Sequence, residues 1–95
     1  MRSSCALATL LLKLDTPSSL KDKRSIIRSA VDRLGARKNV AVAETGQRDT
    51  HKAAELTVAV VGDSPSYVEA EMGRIISSIE SDDAIEVFVT RLEVY

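Results

Sequence analysis

The sequence predicts a two-layer α+β fold in which two helices cover one face of a four-stranded antiparallel sheet. Two segments carry apolar residues at helical spacing behind a serine that can cap a helix. Four others carry the alternating or β-branched pattern of strands. Turn-forming residues separate the segments. A chain of 95 residues makes one domain, so residues 1–95 are predicted to fold as a single unit.

The first half of the chain predicts a strand, a helix and a second strand. Residues 5–14 are apolar at every even position, which indicates a first strand with its even side buried. Ser18 or Ser19 then caps a helix that ends near Gly35, and residues 39–45 form a short second strand. The apolar stripe of this helix comprises Leu20, Ile27, Val31 and Leu34, widened by Ile26 and Ala30.

The second half repeats this arrangement. A polar hairpin loop leads into a third strand at residues 54–61, and Ser64 followed by Pro65 is typical of a helix start. A fourth strand at residues 85–94 changes its apolar phase part-way, which a bulge near Thr90-Arg91 would explain. The apolar stripe of the second helix comprises Val68, Met72, Ile75, Ile76 and Ile79.

The element order β-α-β-β-α-β is that of the ferredoxin-like fold, with an antiparallel sheet ordered 4-1-3-2. Two function classes common to this fold are excluded. The central strands contain no aromatic residue on which a base could stack, and the single Cys5 cannot supply a Cys-x-x-Cys metal site. The four glycines form neither a dinucleotide nor a phosphate loop, so no cofactor is predicted.

The net charge of −1 hides an uneven distribution. Residues 1–52 carry eleven Lys/Arg and five Asp/Glu, whereas residues 53–95 carry two Lys/Arg and nine Asp/Glu. This division indicates either a basic surface for an anionic partner or two halves that neutralise each other.

The first helix carries the candidate phosphate-contacting residues. Lys and Arg bind a phosphate backbone without reading bases, so this surface predicts contact with RNA or the ribosome. The alternative is internal: antiparallel helices would place the start of the first helix beside the acidic end of the second, at Glu80, Asp82 and Asp83. The candidate residues are Lys21, Lys23, Arg24 and Arg28, continued by Arg33, Arg37 and Lys38.

The string Ser19-Leu20-Lys21-Asp22-Lys23-Arg24 resembles the YlxP-like family of small bacterial proteins of unknown function, and the resemblance extends over nearly the whole chain. It implies a ferredoxin-like fold. Family members often lie in operons beside translation and ribosome-maturation genes, which implies a translation-associated role. The family tends to carry a Gln-Asp pair followed by Trp and Arg in the hairpin. This chain keeps Asp49 but has Arg48 before it, His51 in the aromatic place and Ala53 in the basic one.

Two further groups of residues are candidates for function. Glu44, Asp49 and His51 lie near the hairpin and could transfer a proton or hold a metal, but the favoured interpretation is a solvated loop with an incidental histidine. The sheet face away from the helices should be polar, yet it carries apolar residues, which predicts a homodimer interface. The residues of this dimer face are Leu7, Leu11, Ala41, Ala59, Val61 and Phe88.

These features together predict a non-enzymatic cytoplasmic factor that contacts RNA or the ribosome through its first helix. The alternatives are a homodimeric protein-interaction module with no nucleic-acid role and a small enzyme that uses the 44–51 hairpin. No catalytic residue, metal or membrane contact is predicted. A single cysteine is typical of a reducing compartment, and the apolar run at residues 5–12 is too short to cross a bilayer.

Overall fold

The computed structural model describes residues 3–15 and 19–95 and confirms the predicted element order. The sheet has the order β2-β3-β1-β4 with every pair antiparallel, which is the predicted ferredoxin-like arrangement. Both helices lie on one face of this sheet, because the same face supplies the core. The elements are β1 (Ser4–Leu14), α1 (Leu20–Gly35), β2 (Val40–Gly46), β3 (Ala53–Gly62), α2 (Pro65–Glu80) and β4 (Ile85–Val94).

The core lies between the sheet and the two helices. The even positions of β1 and β3 point into it and are almost fully buried, as period-2 alternation requires. On α2 the buried residues are those of the predicted stripe, with Ile76 partly buried at its side. The largest fully buried side chains are Leu10, Leu12, Leu56, Met72, Ile75 and Ile79, with Val58, Val60 and Val68.

Each helix begins at a serine cap. Ser19 Oγ accepts the backbone N–H of Asp22, and Ser64 Oγ accepts that of Tyr67, both at 3.2 Å. These bonds satisfy donors that the first turn of a helix leaves without an intrahelical partner. The caps at Ser19 and Ser64 are therefore confirmed, whereas the alternative cap at Ser18 lies outside the described residues.

The buried face of α1 differs from the prediction at its start. Leu20 is 36 % exposed and Lys23 is only 2 % exposed. The helix thus buries Lys23 with Ile27, Ala30 and Leu34, so its buried face begins one turn later than the predicted stripe that started at Leu20. Placing Leu20 in the core was wrong, because the ammonium group of Lys23 finds polar partners beneath the helix.

The fourth strand contains the predicted bulge. Leu10 of β1 pairs with Val89 and Thr9 pairs with Arg91, so Thr90 is the extra residue. The Thr90 hydroxyl donates to the Thr9 carbonyl at 3.1 Å. The extra residue keeps Val89, Leu92 and Val94 on the helix side of this edge strand, where they remain 46 %, 49 % and 38 % exposed.

The predicted neutralisation between the start of α1 and the end of α2 does not occur. Lys23 pairs with Glu44 instead, and no ion pair between described residues joins the two charged ends. The helices are linked at the opposite end, where Arg37 Nη1 lies 3.6 Å from Glu71 Oε1. Within the described ranges, neither helix has the length and hydropathy needed to cross a membrane.

Candidate nucleic-acid interface

Lys23 is a buried lysine that ties α1 to the hairpin between β2 and β3. It lies one turn after the capping Ser19, and its side chain points under the helix toward the loop. Its ammonium group donates to the carbonyl oxygens of Gln47 and Thr50, the latter at 2.8 Å. These two carbonyls bracket one turn of the loop, so Lys23 holds both sides of that turn against the helix.

Glu44 completes the environment of this lysine. Its Oε2 lies 3.4 Å from Lys23 Nζ, which is ion-pair distance. That oxygen is buried and accepts no hydrogen bond from any residue in the described part of the chain, so the contact is coulombic only. The lysine side chain is 3 % exposed and the glutamate side chain 28 %, so the pair spans the boundary between the core and the surface.

The hairpin turn places Arg48 next to α1. Gln47 has a φ of 60°, a left-handed conformation that is uncommon for a residue with a side chain. The bond from Lys23 to the Gln47 carbonyl supports that conformation. Arg48 follows directly, and its Nη2 donates to the Glu44 carbonyl at 2.5 Å. The guanidinium group is thereby held over the end of β2 on the side that faces the helix.

A cleft of about 420 Å³ lies between α1, β2 and this turn. Leu20, Ile27 and Val31 form its apolar wall. Its lining carries four cationic and two acidic side chains. Because Lys23 is paired with Glu44, the remaining charge is three guanidinium groups against one carboxylate. The charged lining residues are Lys23, Arg24, Arg28 and Arg48, with Asp32 and Glu44.

The structure divides the four predicted phosphate-contacting residues into three groups. Arg24 and Arg28 are exposed and line the cleft. Lys21 is exposed but is not part of its lining. The prediction that Lys23 contacts phosphate was wrong. Its ammonium group is turned inward onto main-chain carbonyls, so it cannot contact an external phosphate.

Arg48 is the cleft residue that sequence reasoning missed. It lies outside the helix whose charge pattern drew attention, in a loop expected only to be polar. The available signal was that Arg48 belongs to the basic first half of the chain and lies in the loop just after a predicted strand. Its position beside Arg24 and Arg28 depends on the hairpin folding back onto α1.

The residues of the possible hairpin site are not gathered into one site. The carboxylate of Glu44 faces Lys23 beneath the helix, whereas Asp49 is exposed at the turn and His51 is half-buried. Across residues 3–15 and 19–95, no group of three or more His, Cys, Asp or Glu side chains could hold a metal ion.

The sheet face away from the helices carries the predicted dimer-face residues. Leu7, Leu11 and Ala59 are half-buried, while Val61 and Phe88 are 55 % and 41 % exposed. At the end of β4, Arg91 Nε donates to Glu93 Oε1 at 2.8 Å, and the Tyr95 hydroxyl donates to Glu93 Oε2. These two bonds lower the pKa of the Glu93 carboxyl below its usual range, and the bond to Glu93 raises the pKa of Tyr95.

Comparisons with solved structures show the same fold in unrelated sequences. A C-terminal segment of the alpha subunit of aIF2 from Pyrococcus abyssi superposes with a TM-score of 0.62 at 16 % identity over 98 % of this chain. The chain spans 52 % of that structure's length. The de novo designed protein Foldit4 superposes with a TM-score of 0.50 at 16 % identity, over 96 % of each chain.

Comparisons of sequence identify the family. An uncharacterized protein, YlxP of Bacillus subtilis (strain 168), is 33 % identical over 75 residues, which cover 79 % of this chain and 82 % of that protein. This confirms the YlxP-like resemblance. A family model described as a protein of unknown function matches residues 5–92. The chain therefore belongs to the DUF503 family.

Proposed function

We propose that this protein binds RNA through phosphate contacts made in the cleft between α1 and the β2–β3 hairpin. The observation that carries the proposal is the convergence of three arginines from two separate elements on one concavity. Arg24 and Arg28 come from successive turns of α1, and Arg48 comes from the hairpin turn. A guanidinium group presents five donors in a planar fork that suits phosphate oxygens.

The electrostatics of the cleft support an anionic ligand. Arg24 and Arg28 take part in none of the ion pairs formed among the described residues. Arg48 uses one donor on the Glu44 carbonyl and keeps the others. Lys23 and Glu44 neutralise each other at the base, so the lining keeps three arginines against the one carboxylate of Asp32 and is net positive.

The chemistry of the cleft favours the backbone of RNA over its bases. No aromatic residue lines the cleft, so bases have no stacking partner there. The apolar wall of Leu20, Ile27 and Val31 offers area to a sugar or base edge without selecting a sequence. Binding through phosphates alone is strongly salt-dependent and tolerant of sequence.

The test is fluorescence anisotropy with labelled single-stranded and hairpin RNAs of about 20 nucleotides, over a range of salt concentrations. The variant removes three charges from the cleft: Arg24→Ala, Arg28→Ala and Arg48→Ala together. The control removes three cations elsewhere: Lys13→Ala, Arg74→Ala and Arg91→Ala. Both variants lose the same net charge, so only the location of the lost charge differs.

Wild type and control are expected to bind at low salt, and the cleft variant to bind at least about 10-fold more weakly. Each lost phosphate contact lowers the salt slope by about 0.7 on single strands, so three lost contacts lower it by about 2. Absence of wild-type binding at low salt would overturn the proposal. Equal losses in the cleft and control variants would also overturn it, because binding would then follow net charge rather than the cleft.

A further inference from the structure

The sheet face opposite the helices is a second surface with its own chemistry. The odd positions of β1 and β3 point out of it, and no element of the described chain covers them. Apolar side chains lie together toward one end of it, with Leu7 beside Ala59 and Val61 beside Cys5 in the strand register. Uncovered apolar surface of this kind marks an interface in soluble proteins.

We propose that this face is the interface of a homodimer, in which two copies pack sheet against sheet about a two-fold axis. The occupant is a second copy of this chain rather than a nucleic acid or a different protein. The inference stands apart from the RNA proposal, because the cleft lies on the helix side and shares no residue with this face.

The area of the face is sufficient for a specific dimer. Four strands of 11, 7, 10 and 10 residues, spaced about 4.8 Å apart and rising about 3.3 Å per residue, present about 600 Å². Two copies would bury about 1,200 Å² together, above the roughly 1,000 Å² that a specific interface needs. Each copy has a surface of 5769 Å², so about a tenth of it would be buried, the share usual for a small protein.

The threonine hydroxyls on this face already have hydrogen-bond partners within one copy. Threonine hydroxyls form a row across the sheet: Thr9 Oγ1 lies 3.4 Å from Thr57 Oγ1, which lies 2.9 Å from Thr45 Oγ1. Thr45 also donates to Glu55 Oε1 at 2.6 Å. Burying an unpaired hydroxyl costs free energy, but these hydroxyls keep their partners when water leaves the face.

The charge of the face suits a second copy better than a polyanion. Its charged side chains are two cations and three acids, in contrast to the arginine-lined cleft. Arg91 pairs with Glu93, and Lys13 stands opposite Glu86 in the strand register with its Nζ 5.3 Å from the Phe88 ring centre. Two such faces meet without strong repulsion, whereas their net negative charge disfavours a phosphate backbone.

Edge-to-edge pairing through β4 is the competing way for two copies to associate. Val89, Leu92 and Val94 are exposed along this edge strand. The bulge at Thr90 and the charges of Arg91 and Glu93 oppose it, because bulges and charged residues are features that keep sheet edges from pairing. Face-to-face packing needs no regular edge.

The experiment is sedimentation velocity of the purified chain between about 1 and 200 µM, with three single variants. Leu7→Glu and Val61→Glu place a carboxylate in the proposed interface. Leu92→Glu is the matched control, an exposed leucine made acidic on the β4 edge. Circular dichroism and thermal unfolding establish that each variant folds, and Val61 is 55 % exposed, so its variant tests the interface even where Leu7→Glu is unstable.

Wild type and Leu92→Glu are expected to sediment with twice the 10.3 kDa of one chain. The two face variants should weaken the dimer at least about 30-fold, because an unpaired carboxylate would have to be buried. A monomeric wild type at 200 µM overturns the proposal. So does a dimer that Leu92→Glu breaks and folded face variants leave intact, which would assign the contact to the edge.

Discussion

The two helices occupy equivalent places in the two βαβ halves, and their buried residues differ in polarity at one position. Each has 16 residues, begins after a capping serine and buries four side chains. Counted from the cap, the buried positions coincide: Ile27 matches Met72, Ala30 matches Ile75, and Leu34 matches Ile79. The remaining pair is Lys23 in α1 and Val68 in α2.

This difference shows what the first half does beyond folding. Val68 is fully buried in the apolar core, where its packing contributes stability and nothing else. Lys23 contributes less apolar packing at the matching position and instead binds two loop carbonyls and Glu44. The loop that it holds is the one that presents Arg48 to the cleft. A core position has thus been used to fix the geometry of a surface site.

The largest expected effect comes from Val68→Lys, which gives α2 the lysine that α1 has at the matching buried position. Val68 is fully buried within the apolar core, where an ammonium group would lose its hydration, so the variant should lose about 4 kcal/mol of unfolding free energy. Urea denaturation measures this loss. Val68→Met, of similar length but uncharged, is the control. Equal losses of unfolding free energy in the two variants would show that the size of the side chain, rather than its charge, causes the loss. The difference in polarity between the two helices would then have no energetic consequence.

The reverse change, Lys23→Met, should cost about 3 kcal/mol, because it leaves two carbonyls and the Glu44 carboxylate without their cation. Amide exchange in the 47–52 turn should also quicken. Adding Glu44→Gln removes the orphaned charge and should recover at least about 1 kcal/mol. A Lys23→Met protein as stable as wild type, with unchanged exchange in the turn, would mean that the lysine does not hold the hairpin.

The caps should behave alike in the two halves. Ser19→Ala and Ser64→Ala each remove one hydrogen bond of 3.2 Å to a first-turn N–H, so each should cost about 1 kcal/mol. The helices start at opposite ends of the layer, so the double variant should show the sum. Thermal unfolding of all three variants measures this. A loss at only one serine would contradict the equivalence of the two helix starts.

The smallest effect is expected at the exposed charge cluster of the second half. Hydrogen bonds from Arg91 and Tyr95 lower the pKa of Glu93 in the folded chain. Their contribution is therefore present above the unfolded glutamate pKa of about 4.3 and is lost as the pH falls through the lower folded value. Glu93→Gln should unfold at a slightly lower temperature than wild type at pH 7. The two melting temperatures should converge as the pH falls below the lowered pKa of Glu93 in the folded chain, and a gap that persists once this carboxyl is protonated would contradict the assignment.

The local pattern of the sequence was enough to predict the secondary structure. Alternation along β1 and β3, Ser-Pro at the start of α2, and the phase change in β4 each depend on neighbours within a few residues. The structure confirms these strands, this helix start and the bulge at Thr90. The element order then leaves few topologies, and the observed sheet order is the predicted one.

The same reasoning failed for α1, for a reason visible in the residues. Hydrophobic spacing assigned Leu20 to the core because leucine is apolar, and it assigned Lys23 to the surface because lysine is charged. The spacing of Lys23 from Ile27 and Leu34 would equally have allowed it to point inward. Lysine usually lies at the surface, but here the carbonyls of Gln47 and Thr50 and the carboxylate of Glu44, none of them in the helix, stabilise it in a buried position.

The sequence by itself determined the strands, the helices and their caps, because each of these depends on residues that are close along the chain. It also determined the family and the uneven charge, which need no knowledge of the fold. Only the tertiary structure decided which cations are available to a ligand. Lys23 is made inaccessible to a ligand because it binds carbonyls 24 and 27 residues away along the chain. The same contact holds the hairpin that places Arg48 beside Arg24 and Arg28. Burial of a charge depends on partners that folding alone assembles, so one-dimensional spacing could not reveal it.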